Sequence, residues 1–559
     1  MKNTRIILLS ALLSSSVAIS TASAEGFFSN IFGAAKSTNS GFSTLLSHVP
    51  ADTSYLIANK KPFPEEVMAF HLNRSKDIMK MLSDLDKKDQ GKAKKGEDGA
   101  LLSALFEEFS DKLSNNKLED TGLSLKATSM IYGYDLMPVI RMTFADKEKL
   151  MATLKRAEKK SEYKAKLTKC GEYDCFVDTK NKEGVALVFL KDHLAASFFP
   201  ADEKQKIIDH LTGKSSPKQA YSAEKWDSFL KENNYKGFGE GYIDLKKLSV
   251  KLKPKIVENF GKMDPKELDN CMAVAEDHIN NMPKIIFGTK NLDVKKMDYE
   301  MVIKTSPDVS ATLQTIANTS NIAKRIENPI FDLGVNINFA KLRDALTQYS
   351  NFLIKSGETH KCKSIDPKEI RKGMGGMMMA MNMGLTQFKS IYASVADIEL
   401  SDKMKPKKVD AYISIGTDDP AGLLAMVGML SPKLMGFQVP SDGSTVKLPD
   451  GAIPSKKGQA VPDIYLSRTA KNLNIMVGND KPALKDYKSD TAEIMSISLD
   501  GKRYYGQLAN IMKMMPKGSS KDAADASKMM ESMGDMMGNI DEIFSADKRG
   551  LVINYSVKY

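Results

Sequence analysis

A chain of 559 residues in which 81 Lys and Arg face 70 Asp and Glu is too long for one hydrophobic core and too evenly charged to be read as a nucleic-acid binder. The net charge of +11, spread over this length, supports at most weak contact with an anionic membrane surface. Apolar runs such as 422–430 and 377–385 fall short of the ~20 residues a membrane helix needs, so no transmembrane span is expected in the mature chain.

Residues 1–24 read as a secretory signal peptide. Lys2 and Arg5 give the basic start, residues 6–13 an apolar run, and Ala22-Ser23-Ala24 the small residues of a cleavage site. Cleavage after Ala24 starts the mature chain at Glu25, and no cysteine follows to carry a lipid. The expected address is periplasmic, in a bacterium with an outer membrane. Residues 25–44 are an N-terminal apolar segment and spacer: Phe27, Phe28, Ile31 and Phe32 form a stripe that can touch a membrane weakly or dock on a lobe, before a Ser/Gly-rich stretch over 37–43.

The rest repeats one order of elements, which predicts two related lobes, 45–308 and 327–559, joined by a connector at 309–326. Each opens with a short strand, 54–59 and 331–336, followed by a helix. A charged linker over 86–99 then leads to an amphipathic helix carrying Leu102, Leu105, Phe106, Phe109 and Leu113; in the second lobe 356–366 is the linker and Pro367 starts the helix. Alternating strands follow at 138–144 and 409–415, with Asp146 and Thr417 or Asp418 as N-caps of the next helices. Two short strands and a small helix come next, 185–190 and 194–199 before Ala201, and 463–466 and 473–477 before Gly478. Strands 239–244 and 494–500 run into helices. Long helices over 267–286 and 523–544 precede closing strands at 297–304 and 550–559. The match is poorest where a short hairpin in the first lobe faces a Pro/Gly/Ser-rich loop over 440–462 in the second. Hairpin-connected strands with helices at intervals predict an α+β fold: two structurally related lobes from an internal duplication, each a mainly antiparallel sheet with packed helices.

This layout, with the opening Val49-Pro-Ala-Asp-Thr-Ser-Tyr-Leu56, resembles an uncharacterised class of exported bacterial proteins of unknown function with repeated strand and helix units. The resemblance implies no catalytic residue.

Four cysteines in an oxidising compartment predict two disulfides. Cys170 and Cys175 suit a hairpin neck, leaving Cys271 and Cys362 for each other. His360 lies two residues before Cys362, but the spacing of a structural zinc site is absent.

Methionine, at 33 residues, is the compositional outlier. Met374, Met378, Met381, Leu385 and Phe388 fall on one helical stripe, and Met529, Met533, Met536, Ile540 and Ile543 on another. Ordinary packing explains such stripes. The sharper readings are a candidate apolar groove lined by Met374, Met378, Met381, Met529, Met533 and Met536, and thioether binding of Cu(I), which the lack of nearby His in either cluster disfavours. Nucleophile-elbow, zinc-helix, phosphate-loop and EF-hand patterns are absent. Ser228-x-x-Lys231 and Ser545-x-x-Lys548 match a Ser-x-x-Lys spacing without its companion motifs. The six histidines, His48, His71, His193, His210, His278 and His360, are scattered singly. No catalytic residue, cofactor or metal is assigned. The sequence points to an exported binding or envelope-associated interaction protein without catalytic activity, its partner an envelope protein or an apolar ligand. The alternatives are a hydrolase of an envelope component whose site assembles only in space, and copper handling.

Overall fold

The computed structural model describes residues 39–71, 127–162, 167–180, 183–259, 264–317, 324–382, 387–401, 406–430, 436–449, 462–478, 483–487, 492–514 and 520–559, with isolated positions between. The expected signal peptide, the apolar stripe of Phe27 to Phe32 and the charged linker over 86–99 lie outside these residues, as do Leu102, Phe106, Leu113 and Leu385. The chain forms two compact units, 1–252 with 286–297, and 253–285 with 298–559. The division differs from the expected lobes: 253–285 and 298–308 group with the second unit. The expected connector holds a helix and a short strand.

In the first unit, helix α1 (Asn39–Leu46) precedes strand β1 (Tyr55–Asn59), followed by β2 (Ser129–Tyr134), β3 (Met137–Thr143), helix α2 (Lys147–Ser161), β4 (Leu167–Cys170), β5 (Tyr173–Lys180), β6 (Glu183–Phe189), β7 (His193–Pro200), α3 (Lys204–Leu211), α4 (Ala223–Asn233), β8 (Phe238–Asp244) and α5 (Leu245–Asn259). The strands pair antiparallel in the order β4-β5-β6-β7-β3-β2-β1-β8. Asp146 caps α2 as expected, accepting from the amides of Glu148 and Lys149. Leu150, Leu154 and Ala157 of that helix pack with Met142, Phe176 and Phe189 of the sheet, and Leu105 and Phe109 lie against the same core. Elsewhere in this unit Trp226, fully buried, meets Phe42, Tyr221 and Phe229.

The second unit takes the latter part of α5, from residue 253, and α6 (Pro265–Asn281); the next strand, β9 (Lys284–Leu292), falls largely in the first unit. There follow β10 (Lys296–Lys304), α7 (Pro307–Ile316), β11 (Lys324–Ile326), β12 (Phe331–Val335), α8 (Phe339–His360), α9 (Pro367–Asn382), β13 (Phe388–Leu400), β14 (Pro406–Thr417), α10 (Pro420–Leu430), β15 (Thr445–Lys447), β16 (Ile464–Arg468), β17 (Asn472–Val477), β18 (Leu484–Asp486), β19 (Glu493–Asp500), α11 (Gly501–Met514), α12 (Ser520–Met536), β20 (Asn539–Asp547) and β21 (Gly550–Lys558). Its antiparallel order is β15-β16-β17-β14-β13-β12-β19-β20-β21. Both units are α+β, with mainly antiparallel strands and packed helices.

Four expectations need correction. The helices expected to reach 286 and 544 stop at Asn281 and Met536, because Pro283 and Gly538 interrupt them and β9 and β20 follow. Ile540 and Ile543 therefore sit on a strand, not on the methionine stripe, and Phe388 likewise opens β13. Residues 356–360 belong to α8, not to a linker. The helix expected after Thr417 is capped by Asp419, which accepts from the amide of Gly422 at 2.8 Å, because Pro420 takes the first helical position.

Candidate functional site

Helix α10 has no charged residue over its sequence PAGLLAMVGML, and an apolar helix of this kind must cover itself or hold something apolar. Leu423 is buried, whereas Ala421, Ala425 and Met426 are exposed. The chain returns along the helix at Leu434, which Gly428 lets approach closely: a Cβ on Gly428 would stand 3.2 Å from the Leu434 carbonyl oxygen. Phe437, buried Val439 and Pro440 continue the wall. A turn at Asp442 then closes it, with the amide of Ser444 donating to the Asp442 carboxylate at 2.8 Å and the amide of Gly443 donating to the Arg468 carbonyl at 2.9 Å.

These segments enclose an open cavity of about 820 Å³, within the size range of small-molecule sites. Leu424, Leu434, Phe437, Val439 and Pro440 supply apolar walls, and half-buried Arg468 supplies a cation. Arg468 donates from Nε to the Val439 carbonyl at 3.1 Å. Among the described residues no carboxylate pairs with its two terminal nitrogens. Asp442 also lines the cavity, but the Ser444 hydroxyl and amide bond its carboxyl and hold it below the usual carboxylate range.

A second cavity, of about 640 Å³, adjoins the Cys170–Cys175 hairpin and is bordered by Lys169, Lys204 and Lys214. Lys169 pairs with Asp174 at 2.6 Å and Lys214 lies 3.7 Å from Asp209, so much of its charge is already balanced.

The scattered histidines converge in the first unit. Arg141, fully buried on β3, donates from Nε to the Tyr132 hydroxyl at 3.0 Å and from Nη2 to the carbonyls of His210 and Leu211. Its Nη1 is 2.8 Å from Nε2 of His193, whose Nδ1 is 2.7 Å from Asp192. Because a guanidinium only donates, His193 accepts on Nε2 and carries its proton on Nδ1. His210 lies 2.8 Å from the Tyr132 hydroxyl, and the His48 ring sits 5.4 Å from that of His193. Burial first, then the Arg141 charge, lower His48 and His210 to about 3 and His193 to about 4. All three are neutral near pH 7. The second unit buries Arg325 instead, 3.4 Å from Glu493, 2.8 Å from the Ser496 hydroxyl, and stacked 3.4 Å from the Tyr487 ring centroid. Both are core networks around a buried guanidinium; that of Arg141 bonds Nε and both terminal nitrogens, whereas Nε of Arg325 has no hydrogen-bond partner among the described residues.

Both cysteine pairings occur as expected, Cys170 with Cys175 and Cys271 with Cys362. Cys271, Cys362 and Glu267 lie close enough to suggest a metal cluster, but the bridge leaves neither sulfur as a thiolate. The same bridge fastens α6 to the end of α8, where Asp277 accepts from Ser356 at 2.5 Å and His360 Nε2 stands 3.0 Å from the same oxygen. In a nucleophilic triad the serine would give its proton to the imidazole; here serine and histidine both address the carboxylate. Of the Ser-x-x-Lys pairs, Ser228 and Lys231 are exposed on α4, while Ser545 is buried on a strand and points to the Val552 carbonyl, so that pair does not occupy one helical turn.

The methionines are divided between two helices. Met381 is buried, Met374 and Met378 are half-buried on α9, which packs against α8, and Met379 is 67% exposed. Met529, Met533 and Met536 are half-buried on α12. That helix packs against α11 through small residues, the Ser527 hydroxyl donating to the Ala509 carbonyl and Gly534 lying against Tyr505. Neither cavity is lined by any of the six groove candidates.

No protein-family model, curated protein or solved structure matches the chain. Sequence reasoning missed Arg468, whose only signal was a lone cation ending a strand, beside an uncharged helix that sequence alone could assign to core. It also missed the Arg141 cluster, whose members share no spacing.

Proposed function

We propose that this is an exported, periplasmic binding protein without catalytic activity, built from two units that descend from one duplicated ancestor. The observation that carries the binding reading is the cavity beside α10, where apolar side chains stand beside a guanidinium whose terminal nitrogens have no carboxylate partner among the described residues. The Asp277, Ser356 and His360 wiring adds support, since that set lacks the order a hydrolase needs. Duplication is supported by the strand orders: β6-β7-β3-β2-β1-β8 and β16-β17-β14-β13-β12-β19 run in the same sequence. Export is supported by the leader-like residues 1–24 and by two disulfides, which persist in oxidising compartments. No helix among the described residues is long and apolar enough to cross a membrane.

The test is to incubate the purified chain with lipid, peptidoglycan and protein fractions of a bacterial envelope and follow them by mass spectrometry. Retention of one unmodified component in stoichiometric amount is expected. Time-dependent conversion of any component overturns the non-catalytic reading in favour of the hydrolase.

A further inference from the structure

We infer that the cavity beside α10 binds a single-chain amphiphile with an anionic head, a free fatty acid, its carboxylate on Arg468 and its chain against Leu424, Leu434 and Phe437. This rests on the binding reading above and names the ligand class.

Nε of Arg468 is fixed on the Val439 carbonyl, which orients the guanidinium and leaves Nη1 and Nη2 as a fork. A planar oxyanion is the group that accepts two parallel bonds from such a fork. Asp442, the other charged group at the cavity, remains an ionised carboxylate that already accepts from Ser444, whereas the terminal nitrogens of Arg468 have no carboxylate partner among the described residues. A cationic head would meet Arg468 as a like charge. A neutral polar head would leave the fork's charge unbalanced.

From Ala421 to Gly428 the α10 backbone advances about 10 Å at 1.5 Å per residue. Along that length α10 contributes Ala421, Leu424, Ala425 and Gly428 to a lining that also holds the polar Gln438 and Ser441. Three small residues of α10 beside Leu424, with Leu434 and Phe437 also lining the cavity, leave room for a narrow flexible chain.

The experiment is calorimetric titration of the full mature chain with hexanoate, octanoate and decanoate, each below its micelle concentration, with decanol and decyltrimethylammonium as head-group controls. Burial of one methylene at about 25 cal/mol per Å² corresponds to roughly fourfold tighter binding per added CH₂ when fully buried, so a rise of about two- to fourfold per methylene is expected in this open trough. Arg468→Gln is expected to weaken decanoate at least tenfold and leave decanol unchanged. Ala425→Trp, on an exposed helix position away from the Arg468 contacts, is expected to abolish the chain-length dependence while circular dichroism stays native.

Equal binding of decanoate to R468Q and the parent chain overturns the proposal, as does no decanoate binding at millimolar concentration. Sedimentation with anionic phospholipid vesicles that depends on Arg468, without binding of free decanoate, also overturns it, since it assigns the site to a membrane surface. A negative titration accompanied by stoichiometric retention of another envelope component removes the fatty acid and leaves the binding reading intact; turnover of a component removes the binding reading itself.

Discussion

The Arg141 cluster makes the first unit acid-sensitive in a way that can be worked out in advance. His48, His193 and His210 have native pKa values of about 3, 4 and 3, against the ordinary 6.5. A group whose native pKa is depressed leaves the unfolded chain holding the extra proton, so its contribution is complete above pH 6.5 and falls as pH drops toward 4. With three such rings, stability changes by about 4 kcal/mol per pH unit within that window, from 1.36 kcal/mol per unit per proton. A unit stable by roughly 8 kcal/mol would reach its midpoint near pH 4.5. The assay is direct because Trp226, the single tryptophan of the chain, is fully buried in this unit. Its fluorescence in urea titrations at pH 7, 6, 5.5 and 5 gives the slope. His193→Gln keeps an acceptor for Arg141 and removes one titrating ring, so the slope should fall by about a third. A parent slope below about 1.5 kcal/mol per unit, or one unchanged in H193Q, would refute the reasoning.

Opening the Cys271–Cys362 bridge, which spans 91 residues, should destabilise the second unit by roughly 4 to 5 kcal/mol on the chain-entropy model, against roughly 2 for the short Cys170–Cys175 loop; thermal melts of C271S/C362S and C170S/C175S, followed by circular dichroism, rank the two. Glu300 is 5% exposed and bonded by both terminal nitrogens of Arg549 at 3.1 and 2.9 Å, so Arg549→Met leaves a buried carboxylate without its cation and should cost about 3 to 5 kcal/mol. Denaturant titration checks this, and R549M/E300Q should recover part of the loss.

How much of this was legible in the sequence depended on whether the signal was local. Strand β3, its Asp146 cap and the short strands β6 and β7 follow from alternation and polar punctuation within a few residues, and they stand where expected. Strands β9 and β20 were hidden because Lys284-Ile-Ile-Phe and Asn539-Ile-Asp-Glu-Ile-Phe prolong an apolar helical spacing from α6 and α12; the decisive marks were single breakers, Pro283 and Gly538. The cysteine pairing was readable by elimination among four residues. The cavity was not, since it depends on Gly428 admitting Leu434 to α10 and on Val439 fixing Arg468, contacts that no local pattern encodes. Nor could the buried arginine be foreseen: His193 and His210 approach it from separate elements.

The way the chain divides has a practical consequence for anyone producing the protein in pieces. Neither unit is a contiguous stretch, since 253–285 belongs with the later one and 286–297 returns to the earlier one. A fragment ending at 252 would lack Thr289, whose carbonyl receives the Lys236 amide and whose hydroxyl donates to Phe238. A fragment starting at 298 would lack Cys271 and so leave Cys362 an orphan thiol, open to mispairing. During synthesis the first unit cannot finish before residue 297 has emerged, so a fragment meant to hold it must run to 297 and not stop at 252.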